Sequence, residues 1–289
     1  MASAVQGLRD RWRRRNWRPV ASNASFATLR PVTVITGASR GIGQALAGEF
    51  ARAGHDLLLV ARGGDALAQV AAKLAPAGVT IETLAADLAT QAGCEAIAAS
   101  LSSKSCYCNI LVNNAGMGLG GPLADQPLDA LSQLLNLNIG AVTHLTRQFL
   151  PGMMSRGTGG ILNVASLGGY IPGPYQAAYY ASKAYVISLT EAIADETAGS
   201  GIRISALIPG PVATTFHASM GTENSYYLNL IGVMSAEDVA KAGFRGFRQG
   251  KRLVYPGVLH HINAAVLSVL PRWLIVPVVG WMLRQRQAG

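Results

Sequence analysis

The stretch Thr36-Gly37-Ala38-Ser39-Arg40-Gly41-Ile42-Gly43 decides the fold. It follows the apolar run Pro31-Val32-Thr33-Val34-Ile35, which predicts a strand, and precedes a helical stretch that extends to about Gly54. Glycines in such a turn allow the backbone to approach a pyrophosphate, whose charge is met by the N-terminus of the helix. A Gly-rich turn alone is a weak signal, but its place between strand and helix indicates a dinucleotide site.

The rest of the chain repeats this alternation of short apolar strands and helices. Further strands are predicted at 56–60, 79–84, 109–113, 160–165, 202–208 and 252–255, and further helices at 64–75, 91–102, 127–154 and 176–198. Near-continuous apolar strands are typical of a parallel sheet that helices cover on both faces. The pattern therefore predicts an α/β fold, a Rossmann-like doubly wound sheet of about seven parallel strands.

Composition favours one large α/β domain and disfavours a nucleic-acid binder. The chain has 289 residues, of which 50% are apolar and 13% charged, and its formal charge is +9. Residues 1–30 hold seven arginines and one acidic residue, so most of the excess charge lies there and not in the globular part. We expect a flexible basic arm over 1–30, a Rossmann-like domain over 31–257 and an apolar extension over 258–289.

The two terminal segments leave several interpretations open. The basic leader lacks the apolar stretch of a secretory signal, and it is compatible with a mitochondrial transit peptide or a membrane-touching arm. Ile262–Leu283 is long enough to span a bilayer, but Pro271, Arg272 and Pro277 disfavour one uninterrupted membrane helix. Two short helices over a substrate cleft, an interfacial hairpin and ordinary core packing remain as alternatives. We expect a cytoplasmic protein with peripheral membrane contact, and a mitochondrial location stays open.

Cysteines and histidines show no spacing that predicts a metal site, and none is expected. The cysteines form no C-x-x-C pair and are typical of reduced, structural thiols. The histidines lack ligand spacing as a group and are expected to be structural. The residues in question are Cys94, Cys106, Cys108, His144, His217, His260 and His261.

Several motifs, in order along the chain, resemble those of the short-chain dehydrogenase/reductase family. The Gly-rich loop has the spacing G-x-x-x-G-x-G after a threonine, and Asn113-Asn114-Ala115-Gly116 follows the fourth predicted strand. Ser166, Tyr179 and Lys183 resemble the catalytic set, and the sixth strand is followed by Pro209-Gly210. The resemblance covers roughly residues 30–257. It implies a nicotinamide cofactor, a small-molecule carbonyl substrate and a homodimer or homotetramer.

The chemistry of the predicted catalytic set agrees with this resemblance. Tyr179 and Lys183 are four residues apart and therefore share one face of a helix. An ammonium close to a phenol is expected to lower its pKa from about 10, and in reduction the phenol donates its proton to the developing alkoxide. Ser166, at the end of the fifth strand, is placed to hydrogen-bond the same oxygen. The resemblance makes Asn138 the fourth member, which supports a water in a proton relay.

Tyr175 and Tyr180 are the alternatives to Tyr179. Tyr180 is three residues before Lys183 and is sterically allowed, but only Tyr179 has the family's spacing to both partners. Tyr175 is interpreted as a substrate-side or packing residue.

Charge near the predicted adenosine pocket indicates NADP(H) and not NAD(H). A carboxylate at the end of the second strand would accept the ribose 2′-OH of NAD, but here the strand ends Val60-Ala61-Arg62. Arg40 and Arg62 would bind a 2′-phosphate through charge-assisted hydrogen bonds. Asp87 is equally compatible with a helix N-cap. The resemblance assigns cofactor contacts to Gly37, Ser39, Arg40, Gly41, Ile42, Gly43, Arg62, Asp87, Leu88, Asn114, Ala115, Gly116, Tyr179, Lys183, Pro209, Gly210, Val212 and Thr214.

Together these features predict an NADP(H)-dependent oxidoreductase for a ketone/secondary alcohol pair, with Tyr179 as general acid/base. A long connection over 211–234 with Tyr226, Tyr227 and Leu228, and the apolar C-terminus, favour a hydrophobic ketone. The alternative is a non-catalytic NADPH-binding or membrane-associated interaction protein, which has no need of the catalytic set. An extended epimerase or dehydratase is disfavoured by the small C-terminal extension.

Overall fold

Seven parallel strands form a single sheet in a computed structural model that describes residue 26 and residues 28–222, 233–257, 267 and 270–284. The strand order is β3-β2-β1-β4-β5-β6-β7. The strands are β1 (Arg30–Thr36), β2 (Leu57–Ala61), β3 (Ile81–Ala85), β4 (Cys106–Asn113), β5 (Gly160–Val164), β6 (Arg203–Leu207) and β7 (Leu253–Val254).

The helices that cover the two faces of the sheet follow the strands in chain order. They are α1 (Gly41–Arg52), α2 (Gly64–Leu74), α3 (Gln91–Ser103), α4 (Leu128–Leu135), α5 (Val142–Arg156), α6 (Ala177–Glu196), α7 (Phe216–Ser219), α8 (Ala236–Arg248) and α9 (Arg272–Leu283). A π-helical segment, Asn136–Ala141, joins α4 to α5. The predicted α/β fold, a Rossmann-like doubly wound sheet, is confirmed.

Alternating side chains of the central strands supply separate apolar clusters on the two faces of the sheet. Ile35 in β1 packs with Phe50 and Phe247 on one face, whereas its neighbour Val34 packs with Leu145 and residues of α3 on the other. Both faces are apolar because helices cover both, as the sequence pattern predicts.

The strand order reverses between β1 and β4, and this switch point positions the site. From β1 the chain moves outward to β2 and β3, then returns to β4 on the opposite side of β1. The loops that follow β1 and β4 therefore diverge from the carboxyl edge of the sheet and leave a crevice between them.

Two boundaries differ from the sequence predictions for physical reasons. Strand β4 begins at Cys106, because Arg30 of β1 is in register with it and extends the pairing by three residues. Arg30 was assigned to the flexible arm, but it begins β1 and forms ion pairs with Asp56 at 2.6 Å and Glu82 at 3.0 Å. It thus ties the first three strands together at their amino ends.

The single helix predicted over 127–154 is wrong in its middle. The backbone leaves the α-helical pattern at Asn136 and returns to it at Val142. A π-helical turn holds one more residue than an α-helical turn, so it rotates everything that follows it around the helix axis. Such turns are frequent at functional sites.

Several sequence predictions fall on parts of the chain outside the described residues. They include the arm before Phe26, the residues Tyr226, Tyr227 and Leu228 of the long connection over 211–234, and His260 and His261. In the part of the chain that the structure describes, no helix is long and apolar enough to cross a membrane.

Candidate active site

A cleft of about 870 Å³ opens at the carboxyl edge of the sheet, at the switch point between β1 and β4. The ends of six strands and the start of α6 contribute to its walls. Nearly all of the predicted site residues line it, namely Gly37, Ser39, Arg40, Gly41, Ile42, Arg62, Asp87, Leu88, Asn114, Ala115, Gly116, Ser166, Tyr179, Lys183, Pro209, Gly210, Val212 and Thr214. The two exceptions are Gly43 and Asn138, which do not line the cleft.

The Gly-rich loop between β1 and α1 has the form of an anion cradle. Gly37 and Gly41 have φ angles of +63° and +56°, which side-chain-bearing residues rarely adopt. A Cβ on Gly43 would overlap the carbonyl oxygen of Gly37 and the side-chain amide of Asn114. No side chain caps the first amide groups of α1, so these donors and the helix dipole are available to a phosphate.

Thr36 and Asn114 hold this loop against the end of β4. The Thr36 hydroxyl donates to the Val112 carbonyl at 3.1 Å and accepts from the amides of Asn114 and Ala115, both at 3.0 Å. The Asn114 side chain donates to the carbonyls of Thr36 at 2.9 Å and Gly37 at 3.1 Å. Thr36 was seen in the motif but was not predicted as a site residue, although its hydroxyl joins the two loops.

Two arginines lie at the end of the cleft near β2. Arg40 precedes α1 and Arg62 follows β2, and both are exposed and line the cleft. Strand β2 ends at Ala61, and no carboxylate stands at its end. Among the described residues neither guanidinium has an ion-pair partner, so both are free to meet an anion.

Asp87 does not cap helix α3. Its carboxylate accepts a hydrogen bond from the Ala89 amide at 3.0 Å, whereas Thr90 caps the helix by accepting from the Gly93 amide at 3.1 Å. The N-cap alternative for Asp87 is therefore wrong. The residue lines the cleft beside Leu88, where the resemblance places the adenine.

Ser166, Tyr179 and Lys183 converge in the middle of the cleft. Ser166 directly follows β5 and its hydroxyl accepts from the Gly168 amide at 3.1 Å. Lys183 is buried; its Nζ donates to the carbonyl of Val164 at 2.9 Å and lies 5.8 Å from the centre of the Tyr179 ring. The geometry brings these predicted catalytic residues together, and their roles remain predictions.

Burial is the largest influence on the pKa values of Tyr179 and Lys183. It raises the pKa of Tyr179 to about 12, against a smaller lowering by the hydrogen bond with Ser166. It lowers the pKa of Lys183 to about 8. Burial of the phenol thus opposes the lowering of the Tyr179 pKa that the nearby Lys183 is expected to cause. The phenol keeps its proton at neutral pH, which suits a proton donor.

Asn138 lies outside the cleft and holds two of its elements together through hydrogen bonds. It is 1% exposed and belongs to the π-helical segment. Its side-chain oxygen accepts from the Met117 amide at 2.9 Å, and its nitrogen donates to the Met117 carbonyl at 2.8 Å and to the Ser182 hydroxyl at 3.0 Å. The side chain thus fixes the loop after β4 to α6, next to Lys183.

The alternatives to Tyr179 have other surroundings. Tyr180 also lines the cleft, but its ring lies so close to Gly173 that a Cβ there would overlap it. Burial raises its pKa even further than that of Tyr179. Tyr175 has a φ of +65°, and its hydroxyl accepts from Arg284 Nε at 3.1 Å. The packing interpretation of Tyr175 agrees with this contact.

The C-terminal helix α9 packs on the loop that leads into α6. Gly280 lies against Pro174, where an added Cβ would be 3.3 Å from the ring, and Arg284 reaches Tyr175. Leu267, before the helix, lines the cleft. On the outer face Trp273 and Trp281 are 78% and 55% exposed. The apolar extension therefore borders the cleft and also presents an apolar surface.

Sequence reasoning missed Gln176, which precedes α6 and lines the cleft. The residue is 2% exposed, and its side-chain nitrogen has no hydrogen-bond acceptor among the described residues. The available signal was its position three residues before Tyr179. Among the described residues no group of three His, Cys, Asp or Glu side chains could hold a metal ion.

A switch-point cleft with a glycine cradle at one end defines a dinucleotide-binding protein of the Rossmann type. The family model described as short chain dehydrogenase matches residues 31–225. The chain belongs to the short-chain dehydrogenase/reductase family, and it is an oxidoreductase of the hydride-transferring kind.

Relatives of known structure or activity agree with this assignment. The very-long-chain 3-oxoacyl-CoA reductase of Mus musculus is 31% identical over 252 residues, which are 85% of this chain and 77% of the relative. The structure of a Sphingobium yanoikuyae short-chain dehydrogenase with NADPH is 33% identical, with a TM-score of 0.73 over 84% of this chain and 97% of that one. A Burkholderia phymatum member with NAD is 27% identical, with a TM-score of 0.73 over 83% and 92%.

Proposed function

We propose that the protein is an NADP(H)-dependent carbonyl reductase, or alcohol dehydrogenase, that acts on a hydrophobic ketone or the corresponding secondary alcohol. The observation that carries the proposal is the convergence of Ser166, Tyr179 and Lys183 in one cleft with the glycine cradle. The cofactor fits the cradle, because a pyrophosphate requires uncapped amide groups at a helix start and a loop whose glycines let it approach the backbone.

The preference for NADP(H) is supported by Arg40 and Arg62 at the adenosine end. Both guanidiniums are exposed and without ion pairs among the described residues, and β2 ends without a carboxylate that would select NAD. The relative with NADPH and the relative with NAD show that the family uses both cofactors. The arginines of this chain are therefore the basis of the choice.

The protein's own part in the reaction is orientation and proton supply. When bound, the nicotinamide supplies or takes up the hydride. Tyr179 donates its phenolic proton to the oxygen of the reduced carbonyl, and Ser166 donates a hydrogen bond to the same oxygen. The Lys183 ammonium, held by the Val164 carbonyl, stabilises the phenolate that forms. Asn138 keeps the loop after β4 and the start of α6 in place around Lys183.

The substrate end of the cleft is apolar. Phe216 lies against Tyr179, with ring centres 5.5 Å apart, and further apolar side chains line the same cleft. These are Leu137, Leu167, Ile171, Met220 and Leu267. The similarity to a very-long-chain 3-oxoacyl-CoA reductase supports an acyl chain in this place. We infer that the substrate is a lipid carbonyl, with 3-oxoacyl thioesters as the first class to test.

The test is NADPH oxidation by the purified protein with long-chain and short polar ketones, and with Tyr179→Phe as the control. Removal of the phenolic proton donor should lower kcat by a factor of about 10²–10⁴. Equal turnover of polar and long-chain ketones would contradict the hydrophobic substrate. A wild type no faster than Tyr179→Phe on every ketone would favour a non-catalytic NADPH-binding protein.

We also propose that the outer face of α9 contacts membranes peripherally. Trp273 and Trp281 are exposed on this face, and Arg272 and Arg284 flank the helix with positive charge. Flotation with anionic vesicles should retain the wild type and lose Trp273→Ala/Trp281→Ala. Equal flotation of both proteins would contradict the contact.

A homodimer or homotetramer is proposed as the working assembly. Leu128 and Leu135 on α4 and Tyr185 on α6 are exposed, largely apolar side chains that do not line the cleft. A monomeric mass in light scattering at micromolar concentration would contradict this assembly.

A further inference from the structure

The loop 171–176, which leads into α6, contains a backbone conformation that its own residues do not favour. Tyr175 has a φ of +65°, and among the residues that the structure describes Ser105 is the only other side-chain-bearing residue with a positive φ. This left-handed region is costly for a residue with a Cβ, and such strain persists only where the surroundings hold it. Tyr175 therefore needs a contact from outside the loop.

Helix α9 supplies contacts of this kind from the C-terminal end of the described chain. Arg284 donates from Nε to the Tyr175 hydroxyl at 3.1 Å, and its guanidinium carbon lies 5.9 Å from the centre of the Tyr175 ring. One turn earlier, a Cβ on Gly280 would be 3.3 Å from Pro174, which is closer than ordinary van der Waals contact. The small residue thus lets the helix and the loop approach each other, with Arg284 above the strained tyrosine.

The same loop shapes the substrate end of the cleft. Ile171, at its start, lines the cleft. Gly173 packs so closely on the ring of Tyr180, which also lines the cleft, that a Cβ there would overlap the ring. The glycine cradle lies at the other end of the cleft, between β1 and α1. A shift of the loop would therefore change the substrate end and leave the cradle in place.

We propose that Arg284 is a positioning residue for the substrate, which holds Tyr175 in its left-handed conformation and so keeps the loop 171–176 in the shape that binds the ketone. This inference rests on the proposed function. Arg284 does not line the cleft, so it acts through Tyr175 and not through contact with the substrate. Without Arg284 the loop is free to relax to a negative φ at Tyr175, which moves the wall at Ile171. The expected effect is weaker binding of the ketone with an unchanged chemical step.

The experiment measures initial rates with NADPH and the long-chain ketone that the wild type reduces fastest, without vesicles or detergent. The proteins are the wild type, Arg284→Met, Tyr175→Phe and the double variant. Methionine removes the donor, and phenylalanine removes the acceptor but keeps the ring. We expect each single variant to raise KM for the ketone roughly three- to tenfold, as for the loss of one hydrogen bond, with kcat within about twofold. The dissociation constant of NADPH should not change.

The double variant shows whether the two side chains act through one contact. Its KM should be no higher than that of either single variant, because both substitutions remove the same hydrogen bond. Effects on KM that multiply in the double variant would contradict a shared contact and overturn the inference.

A further variant relieves the strain itself. Asparagine tolerates the left-handed region much better than tyrosine does. In Arg284→Met/Tyr175→Asn the loop should keep its conformation without the contact, and KM should be closer to the wild-type value than in Arg284→Met. A KM as high as that of Arg284→Met would overturn the inference.

Arg272→Met is the matched control, since Arg272 is exposed at the other end of α9 and its substitution removes the same charge from the helix. KM should be that of the wild type. An equal rise in KM would assign the effect to the charge of α9 and would overturn the inference. Thermal unfolding checks that every variant is folded.

The outcomes separate this inference from the proposed function. No turnover of any ketone by the wild type would overturn the proposed function and this inference with it. Turnover by the wild type, with KM unchanged in Arg284→Met and Tyr175→Phe or with losses only in kcat or NADPH affinity, would overturn this inference alone. A rise in KM for the ketone that the two variants share supports it.

Discussion

The proposed preference for NADPH rests on two exposed guanidiniums, and their removal is the sharpest test of it. Arg40 and Arg62 line the end of the cleft near β2, and neither has an ion pair among the described residues. Substitution of either by alanine therefore releases no buried charge and should leave the fold intact. The loss should appear in NADPH binding and not in NADH binding, because only NADPH carries the 2′-phosphate.

The expected loss in kcat/KM for NADPH follows from the exposure of the Arg40 and Arg62 side chains. A charge-assisted hydrogen bond is worth about 1.5–3 kcal/mol, but exposed ion pairs contribute only about 0–1 kcal/mol. We take about 1 kcal/mol per arginine, which is roughly fivefold in kcat/KM for NADPH. If the two effects add, Arg40→Ala/Arg62→Ala should lose roughly 25-fold, with kcat/KM for NADH unchanged.

The assay is initial-rate kinetics with each cofactor at a fixed, saturating ketone. Arg147→Ala is the matched control, since Arg147 is exposed on α5 and outside the cleft. Because the Debye length shrinks from about 10 Å at 0.1 M to about 3 Å at 1 M, salt should also reduce the NADPH preference of the wild type. Equal losses with NADPH and NADH, or no loss in the double variant, would refute the reasoning.

Three further predictions concern the cradle and the catalytic helix. Gly43→Ala should abolish cofactor binding in a calorimetric titration, because the added Cβ would overlap Gly37. The control Gly63→Ala should bind as the wild type does, because no atom lies nearer than 3.9 Å to the Cβ added there. Equal binding by both variants would contradict the close-packed cradle. Thr36→Val should lower the free energy of unfolding by about 1–3 kcal/mol in urea, because two loop amides lose their acceptor; an unchanged midpoint would show that this hydroxyl is dispensable. Since the Lys183 pKa is lowered to about 8, its ammonium is present below that pH and lost above it. The kcat/KM for reduction should be level below pH 8 and fall above it. The variant Lys183→Arg keeps its charge at high pH and should not show this decline. A decline shared by both proteins would mean that another group causes it.

The sequence was sufficient for the sheet, because its order and faces follow from apolar runs and local motifs. The glycine loop, Asn114 and the residues predicted to be catalytic could likewise be placed in one cleft, since the glycine loop, Asn114 and Ser166 follow strand ends and Tyr179 and Lys183 share a helix face. The family assignment made from these motifs is confirmed by the matching family model. What local patterns could not supply were features determined by partners distant in the chain.

Asn138 illustrates this limit. Its neighbours predicted an ordinary helix, but its hydrogen bonds to Met117 and Ser182, 21 and 44 residues away, accompany a π-helical turn. Gln176 was missed for a related reason: only the fold shows that its amide is buried and without an acceptor. Burial raises the pKa of Tyr179, and the sequence could not show this because it reveals the nearby lysine but not the depth of burial.

The π-helical turn between α4 and α5 also bears on how this enzyme can be made more robust. One residue removed from Asn136–Ala141 would restore a regular helix, which gains ordinary hydrogen-bond geometry. The same deletion would swing Asn138 about a quarter-turn away from Met117 and Ser182. If Asn138 supports the site as proposed, this deletion should raise thermostability and lower turnover, and stabilising substitutions are better sought on the far face of the sheet.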